Sequence, residues 1–285
     1  MVRRVSVGTS AAGVIIGNYG FGKTHIALYV SREVRWQYSR SVVVYVSTPG
    51  SSFMKVYRSF LDVVLSRGEI MEDLSNVHKE PLSTIFSEIA RGGESAEYAK
   101  SWLYGEVVPQ TFRTKLGLSR VNDEVALSLL LEMLRGLSRR GWGPFVFVLD
   151  ELEDVALLGL VKKVLYLNLL RVFVDELPPT TLLLGLSTPA GWDDIVKSHP
   201  ALARRLSTHV FYLKPFSREE TRAFLNSFIE RFGLGLSLDD EVVNRIYEIT
   251  EGNPGEIVKL ILALSVEYEG RVSAAVADSV FARFV

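Results

Sequence analysis

The sequence contains no cysteine. That excludes disulfides, thiolate nucleophiles and cysteine-ligated metal centres together. Histidine is nearly as scarce. The four present, His25, His78, His199 and His209, are scattered and show no zinc-ligand spacing, and no Ser-His-Asp arrangement can be drawn from spacing. No uninterrupted apolar run reaches the roughly 18 residues that a spanning helix needs. The start, MVRRVSVGTSAAGVIIGNYG, lacks a signal-peptide core followed by a cleavage site. The expected location is the cytoplasm, with no membrane partner. An excess of one charge sign is missing too. Lys plus Arg is 32 and Asp plus Glu is 33, a formal net charge of -1. A basic coat for nucleic acid is therefore excluded, although a local patch is not. Glutamine occurs only at Gln37 and Gln110, which with the absence of cysteine suits a hot-living source.

What remains is a folding composition. The 285 residues are 48% hydrophobic and 23% charged, which is not a disordered chain. A chain of this size buries roughly three quarters of its unfolded surface, enough for one or two domains. Four continuous apolar runs read as parallel strands covered on both faces: AAGVII at 11–16, SVVVYVS at Ser41–Ser47, PFVFVLDE at Pro144–Glu151 and TTLLLGLST at Thr180–Thr188. HVFYL, around Phe211, is a fifth. Helices are expected from Thr24 to about Tyr38, over 51–67 and over about 154–176. Another has an apolar face that includes Ala126, Leu127, Leu130, Leu131, Leu134 and Leu137, with Asn122 or Asp123 at its cap. Beyond Pro215 the pattern reads as four helices, 217–233, 238–250, 254–268 and about 272–283, with no further strand. The expected organisation is an α/β domain over 1–214 and a helical lid over 215–285, joined at Lys214–Phe216.

Between Gly17 and Thr24 the sequence reads GNYGFGKT, a full match to G-x-x-x-x-G-K-[ST]. Glycines let the backbone turn sharply and aim successive N–H groups at phosphate oxygens. Lys23 sets a cation against the β and γ phosphates, the Thr24 hydroxyl is a Mg²⁺ ligand, and the following helix offers its N-terminus to the anion. Gly17, Asn18, Tyr19, Gly20, Phe21, Gly22, Lys23, Thr24 and His25 are the candidate nucleotide contacts. The site needs a second half, a strand that ends in acids, and Phe145–Leu149 followed by Asp150 and Glu151 fits. Asp150 would hold Mg²⁺, through water, and Glu151 would orient or deprotonate the attacking water. Glu153 and Asp154 extend the acidic run and read as a solvated helix start. A hydroxyl at the end of the fourth strand could sense the γ phosphate. Thr188 or Ser187 takes that role, since a one-residue shift reverses the face. Arg204 or Arg205, ahead of the fifth strand, could reach a neighbouring subunit's nucleotide. His25 packs under the helix or faces solvent. Trp36, Trp102, Trp142 and Trp192 read as core or insert-packing residues.

This order of phosphate loop, Asp-Glu strand, threonine-ended strand, arginine pair and helical lid resembles the AAA+ ATPases of the origin-recognition and STAND-like branch. SWLYGE at Ser101–Glu106 and KLGLSRVNDEVALSLLLEMLRGLSRRGWGPFVFVLDELED at Lys115–Asp154 are similar to the ATP-binding proteins of BREX-type phage-defence systems and their archaeal relatives. The resemblance covers about 13–255. It implies a P-loop fold with a central parallel five-stranded sheet and a helical lid, with ATP and Mg²⁺ as ligands. It carries Lys23, Thr24, Asp150 and Glu151 over as nucleotide residues, Thr188 as the sensor threonine and Arg205 as the finger arginine. EGNPGEI at Glu251–Ile257 looks like the lid signature. The family often has an arginine or a bulky residue after the proline, and this chain has Gly255, so a lid arginine on the γ phosphate is not expected. Relatives also carry a longer leader that walls the adenine pocket. Here either Met1–Thr9 does that work or adenine is held loosely. No winged-helix domain is evident, so direct DNA recognition by one is not expected.

Lys23 and Asp150 lie 127 positions apart, and the polar, glycine-broken insert at about 68–120 is a candidate partner-docking surface. Three readings follow: a regulatory ATPase that serves a DNA-processing or defence complex, a non-hydrolysing ATP-dependent switch or loader, and a fold with a vestigial site. Partners are expected to be another protein or a further copy through the nucleotide face. DNA contact through Arg32, Arg35, Arg40, Lys55 and Arg58 would be weak, indirect and salt-dependent.

Overall fold

The apolar runs form strands because their β-branched residues suit a pleated surface covered on both sides. The structure is a computed structural model, and it describes residues 8–47, 52–77 and 79–283. Five strands form one parallel sheet: β1 (Ala11–Ile16), β2 (Val42–Val46), β3 (Phe145–Leu149), β4 (Thr181–Ser187) and β5 (Val210–Tyr212). Their spatial order is β2-β3-β4-β1-β5. β1 pairs with β4 from Ala11↔Leu182 to Ile16↔Ser187, β4 with β3 from Thr181↔Phe145 to Gly185↔Leu149, and β3 with β2 from Phe145↔Val42 to Leu149↔Val46. The threonine-ended strand therefore lies between the strand that leads to the glycine loop and the strand that ends in acids.

Strand alternation sorts the side chains onto two faces. Val14 and Ile16, Val42, Val44 and Val46, and Phe145, Phe147 and Leu149 point into one large core. That core is closed by α2 (Phe53–Leu65), α7 (Asp123–Arg139) and α8 (Leu160–Asp175), by α9 (Pro189–Ser198) and by α10 (Pro200–Leu206). The opposite parity includes Val43, Tyr45, Val146, Val148 and Asp150. On that side runs the crossover helix α1 (Lys23–Gln37), which links β1 to β2. Its Thr24 reaches Asp150, and its Arg35 donates to the Val43 carbonyl at 3.3 Å. Asn122 caps α7, as expected, by accepting from the Val125 N–H at 2.9 Å.

The insert is not an appendage. Its helices α3 (Gly68–Ser75), α4 (Leu82–Arg91), α5 (Glu94–Leu103) and α6 (Gln110–Lys115) place Ile70, Leu74, Ile85, Phe86, Trp102 and Leu103 in the main core. Asp73 ties α3 to the starts of β2 and β3. It accepts from Arg40 at 2.9 Å, Arg140 at 3.3 Å and the Trp142 indole at 2.7 Å, and the Arg40 and Arg67 guanidiniums both lie over the Trp142 ring. Trp102, Trp142 and Trp192 are buried as expected. Trp36 is not: it stands 81% exposed on the outer side of α1. His78 lies outside the described residues, as do Met1–Val7, most of the segment expected to wall the adenine.

By their contacts the residues separate into two compact units. The first comprises the chain up to Ile16 together with Thr24–Phe211. The second comprises Gly17–Lys23 together with Tyr212–Val285. The division thus falls just before the expected Lys214–Phe216 link, and the glycine loop groups with the helical part. That unit contains α11 (Arg218–Phe232), α12 (Asp240–Thr250), α13 (Pro254–Glu267) and α14 (Ala274–Phe281) around Leu225, Val242, Ile246, Ile257, Ile261 and Leu264. A reciprocal Ser217–Glu220 capping box starts α11. The expectation of no further strand is overturned. Leu236–Leu238 (β6) and Gly270–Val272 (β7) form a two-stranded parallel sheet. Three residues are too few to show a period of two, and the pairing joins segments more than thirty positions apart.

Phe86 is fully buried in the shared core. Phe86→Ala is expected to cost about 3–5 kcal/mol of global stability, measured by urea unfolding followed at the sheet. A loss confined to the insert, with the rest of the chain still cooperative, would show that the segment folds apart.

Candidate functional site

The first unit assembles one node around Asp150. This residue follows β3 with the parity of Val146 and Val148, so its carboxylate falls on the α1 side. There the Thr24 hydroxyl donates to Asp150 Oδ2 at 2.6 Å. The Tyr45 phenol, from β2 and with the same parity, donates to the same oxygen at 2.6 Å. The other oxygen, Oδ1, accepts from the Glu151 N–H at 2.9 Å. The three donors are neutral, and among the described residues of this unit no Lys, Arg or His pairs with Asp150. Burial, then the hydrogen bond to Asp150 and the nearby acidic charge, push the Tyr45 phenol well above its ordinary value of 10.0. Tyr45 was not singled out from the sequence, although its parity with Asp150 across neighbouring strands was the available signal.

Glu151 is exposed, and its backbone is left-handed at φ 54°, ψ 43°. A non-glycine residue there is strained by about 1–2 kcal/mol. The Asp154 N–H donates to the Glu151 carbonyl at 3.0 Å and opens the 3₁₀ turn Leu152–Leu157. Glu153 is not a solvated helix start. One carboxylate oxygen accepts from the Thr188 N–H at 3.3 Å, and the other is buried without a partner. Gly191 makes room for it, because a Cβ there would lie 2.2 Å from the Glu153 Cβ. Glu153 thus ties the turn after β3 to the peptide after β4.

That contact bears on the choice between hydroxyls. Ser187 is fully buried, donates to the Thr188 carbonyl at 3.1 Å and lies beside Gly191. Thr188 follows the strand with the parity of the α1 side. It caps α9, accepting from the Gly191 N–H at 3.2 Å, and remains partly exposed. Arg205 does not join these residues. It pairs with Asp175, which holds that carboxyl below its usual range. The pair borders a depression of about 790 Å³ that also touches Ala11, Ala12 and His209 at the start of β1. The six-residue strand separates that end from the loop end by about 16 Å. Arg204 is exposed nearby.

In the second unit Lys23 is buried, and its ammonium donates to the loop's own carbonyls, Gly17 at 2.8 Å and Asn18 at 3.3 Å. Gly20, at a variable position of the motif, and Gly22, its second fixed glycine, adopt positive φ, 82° and 85°, the left-handed region that favours glycine. Tyr19 is exposed, Asn18 and Phe21 form a turn with the Phe21 N–H on the Asn18 carbonyl at 3.2 Å, and His25, at the start of the helix, faces solvent. His199 caps α10 through its Nδ1, and His209 lies by the Ala12 carbonyl. Of the basic run, Arg35, Arg40 and Arg58 are engaged with Val43, Asp73 and the Tyr104 carbonyl, and Arg32 lies 3.8 Å from Glu33. Among the described residues no group of three or more His, Cys, Asp or Glu is gathered for a metal, and no helix is long and apolar enough to cross a membrane.

No protein-family model matches the sequence, and no curated protein matches it. Solved structures do match in fold. The Aeropyrum pernix ORC1 protein, solved in complex with DNA, aligns over 96% of this chain and 59% of its own at 17% identity and TM-score 0.55. The Aeropyrum pernix ORC2 protein, solved as ADPNP–ADP complexes, aligns over 100% and 65% at 15% identity and TM-score 0.56. Domain III of the Thermotoga maritima replication initiation protein DnaA aligns over 100% and 88% at 15% identity and TM-score 0.52. The chain thus spans about three fifths of the ORC1 and ORC2 proteins. The fold is that of the AAA+ P-loop ATPases, and these identities show the fold alone.

Two outcomes test the node. Glu151→Gly is expected to raise stability by about 1 kcal/mol by relieving the left-handed strain, measured by chemical denaturation; an unchanged or lowered midpoint would refute the strain. The raised Tyr45 phenol contributes stability that is fully present below pH 10.0 and is lost as the pH rises through its folded value. Tyr45→Phe should therefore lose less stability than the parent between neutral pH and pH values above 10, while costing about 1 kcal/mol at neutral pH.

Proposed function

We propose that this chain binds ATP with Mg²⁺ and hydrolyses it slowly on its own, as a cytoplasmic regulatory ATPase that works with a protein partner or with further copies of itself. One observation carries the reading. The Thr24–Asp150 hydrogen bond joins the two motif halves across 126 positions at 2.6 Å, as a phosphate loop and an acid-ended strand require. A chance glycine turn would not bring its threonine onto the strand acid.

The residues fit the ligands. A hydroxyl and a carboxylate are hard oxygen donors, and Mg²⁺ takes only one or two protein oxygens beside water and phosphate. Thr24 and, through water, Asp150 would hold the ion, which supplies charge neutralisation on the phosphates. Lys23 would leave the carbonyls of Gly17 and Asn18 for the β and γ phosphates. Glu151, exposed and anchored through its own N–H, would orient or deprotonate the attacking water. Thr188, on the Asp150 side of β4, is the better placed of the two hydroxyls to sense the γ phosphate.

Arg205 favours slow turnover in isolation. It is engaged with Asp175 at the strand-start end, so it would act only on a neighbour's nucleotide after that pair opens. This placement also supports a second reading, an ATP-dependent switch or loader that does not hydrolyse. The likeness of Ser101–Glu106 and Lys115–Asp154 to BREX-type ATP-binding proteins points to a DNA-processing or defence complex. The basic residues of α1 and α2 are largely engaged within the chain, so DNA would be contacted weakly and indirectly.

Mg²⁺-dependent phosphate release, measured over a range of protein concentrations, tests the reading. Turnover per subunit is expected to rise with concentration and to fall at least about 100-fold in Lys23→Ala and Glu151→Gln. Tight ATP binding without turnover under any condition would select the switch. Absence of ATP binding would overturn both.

A further inference from the structure

Inside the second contact unit, which holds Gly17–Lys23 and Tyr212–Val285, the glycine loop is gripped from outside its own motif. Two donors at the start of α13 take two successive loop carbonyls. The Asn253 Nδ2 amide donates to the Tyr19 carbonyl at 3.2 Å. The Gly255 N–H donates to the Gly20 carbonyl at 2.9 Å. Asn253 governs both contacts. Its Oδ1 caps the helix, accepting from Gly255 N–H at 3.0 Å and Glu256 N–H at 3.4 Å, and so sets where the Gly255 amide stands.

The approach is backbone to backbone. A Cβ on Gly255 would lie 2.8 Å from Gly20 Cα and 3.1 Å from the Gly20 oxygen. A Cβ on Gly20, whose φ is +82°, would lie 2.5 Å from Asn253 Oδ1. Gly255 cannot carry a side chain without parting the two segments, and one on Gly20 would displace the Asn253 amide. The Glu251–Gly252–Asn253 turn is itself fixed, because the Phe216 N–H donates to the Gly252 carbonyl at 2.8 Å. Each peptide is planar and trans, with its C=O and N–H directed oppositely. Holding the Tyr19 and Gly20 carbonyls toward α13 therefore fixes both peptide planes and turns the Gly20 N–H away from the helix, toward the side on which the loop would cradle an anion.

We propose that Asn253 and Gly255 are positioning residues for nucleotide binding, which order the phosphate loop before a nucleotide arrives and couple its occupancy to α13. This rests on the reading of Gly17–Thr24 as a phosphate loop. Pre-ordering lowers the conformational cost of binding. Because coupling is reciprocal, a nucleotide on the loop tightens α13 to the same degree that α13 tightens the nucleotide.

The test uses the full chain with Asn253→Ser and Gly255→Ala. Serine is as good a cap as asparagine, is uncharged, and is too short to reach the Tyr19 carbonyl. It removes one neutral hydrogen bond while the helix stays capped. Asn253→Ser is expected to raise the ATP Kd about 3- to 10-fold with turnover at saturating ATP unchanged, and to speed amide exchange at Gly255. Gly255→Ala should raise Kd further. Parent-like Kd in both variants, with parent-like Gly255 exchange in Asn253→Ser, would overturn the proposal. A parent that binds no ATP would overturn the nucleotide reading instead. In that case Gly255 exchange still decides whether α13 holds the loop.

Discussion

Asp150 is a carboxylate at 4% exposure, and the first unit surrounds it with neutral donors only. An ionised group taken from water needs its lone pairs satisfied and its charge balanced. Thr24, Tyr45 and the Glu151 amide meet the first need, and among the described residues of that unit no Lys, Arg or His pairs with the carboxylate. The arrangement is thus held by hydrogen bonds from three neutral donors. The left-handed backbone of Glu151 belongs to the same node, since its N–H is turned back onto Asp150 Oδ1.

Strand parity builds this node. In a parallel sheet every second residue falls on one face, so Tyr45 of β2 and Asp150 after β3 share the face of the crossover helix while Phe145, Phe147 and Leu149 fill the core. The core face carries nearly all the other helices, including those of the insert. The α1 face is thus left to one helix, which brings Thr24 to Asp150 with its first turn. Glu153 extends the order to β4 by holding the Thr188 amide. The residues after β3 and β4 are therefore set by contacts among themselves, and Arg205 is kept apart at the strand-start end by Asp175.

In the second unit, the backbone amide of Gly255 meets the Gly20 carbonyl at a position that has no room for a side chain. The departure at Gly255 from the lid pattern of the resembling family then has a local steric reason: the Gly20 backbone occupies the space. Gly20 serves two demands at once, the positive φ of the turn and the close approach of α13.

Much was legible in the sequence. The five strands were read to within a few residues at either end, because buried parallel strands are continuous apolar runs and glycine or proline bounds them. The GNYGFGKT loop and the Asp150–Glu151 strand end were legible because each is a local pattern with a chemical reason. Tyr45, Glu153 and Asn253 were not, since their roles depend on partners 105, 35 and 234 positions away. The exposure of Trp36 and the burial of the insert were missed for a related reason: composition reports how apolar a segment is, not which face it shares. The sequence by itself determined the elements, the loop and the acids, through periodicity and local stereochemistry. Only the tertiary structure decided that Thr24 and Tyr45 meet on one oxygen of Asp150, that Glu153 holds Thr188, and that α13 grips the loop, because hydrogen bonds between distant segments follow from sheet order and packing, which no local pattern encodes.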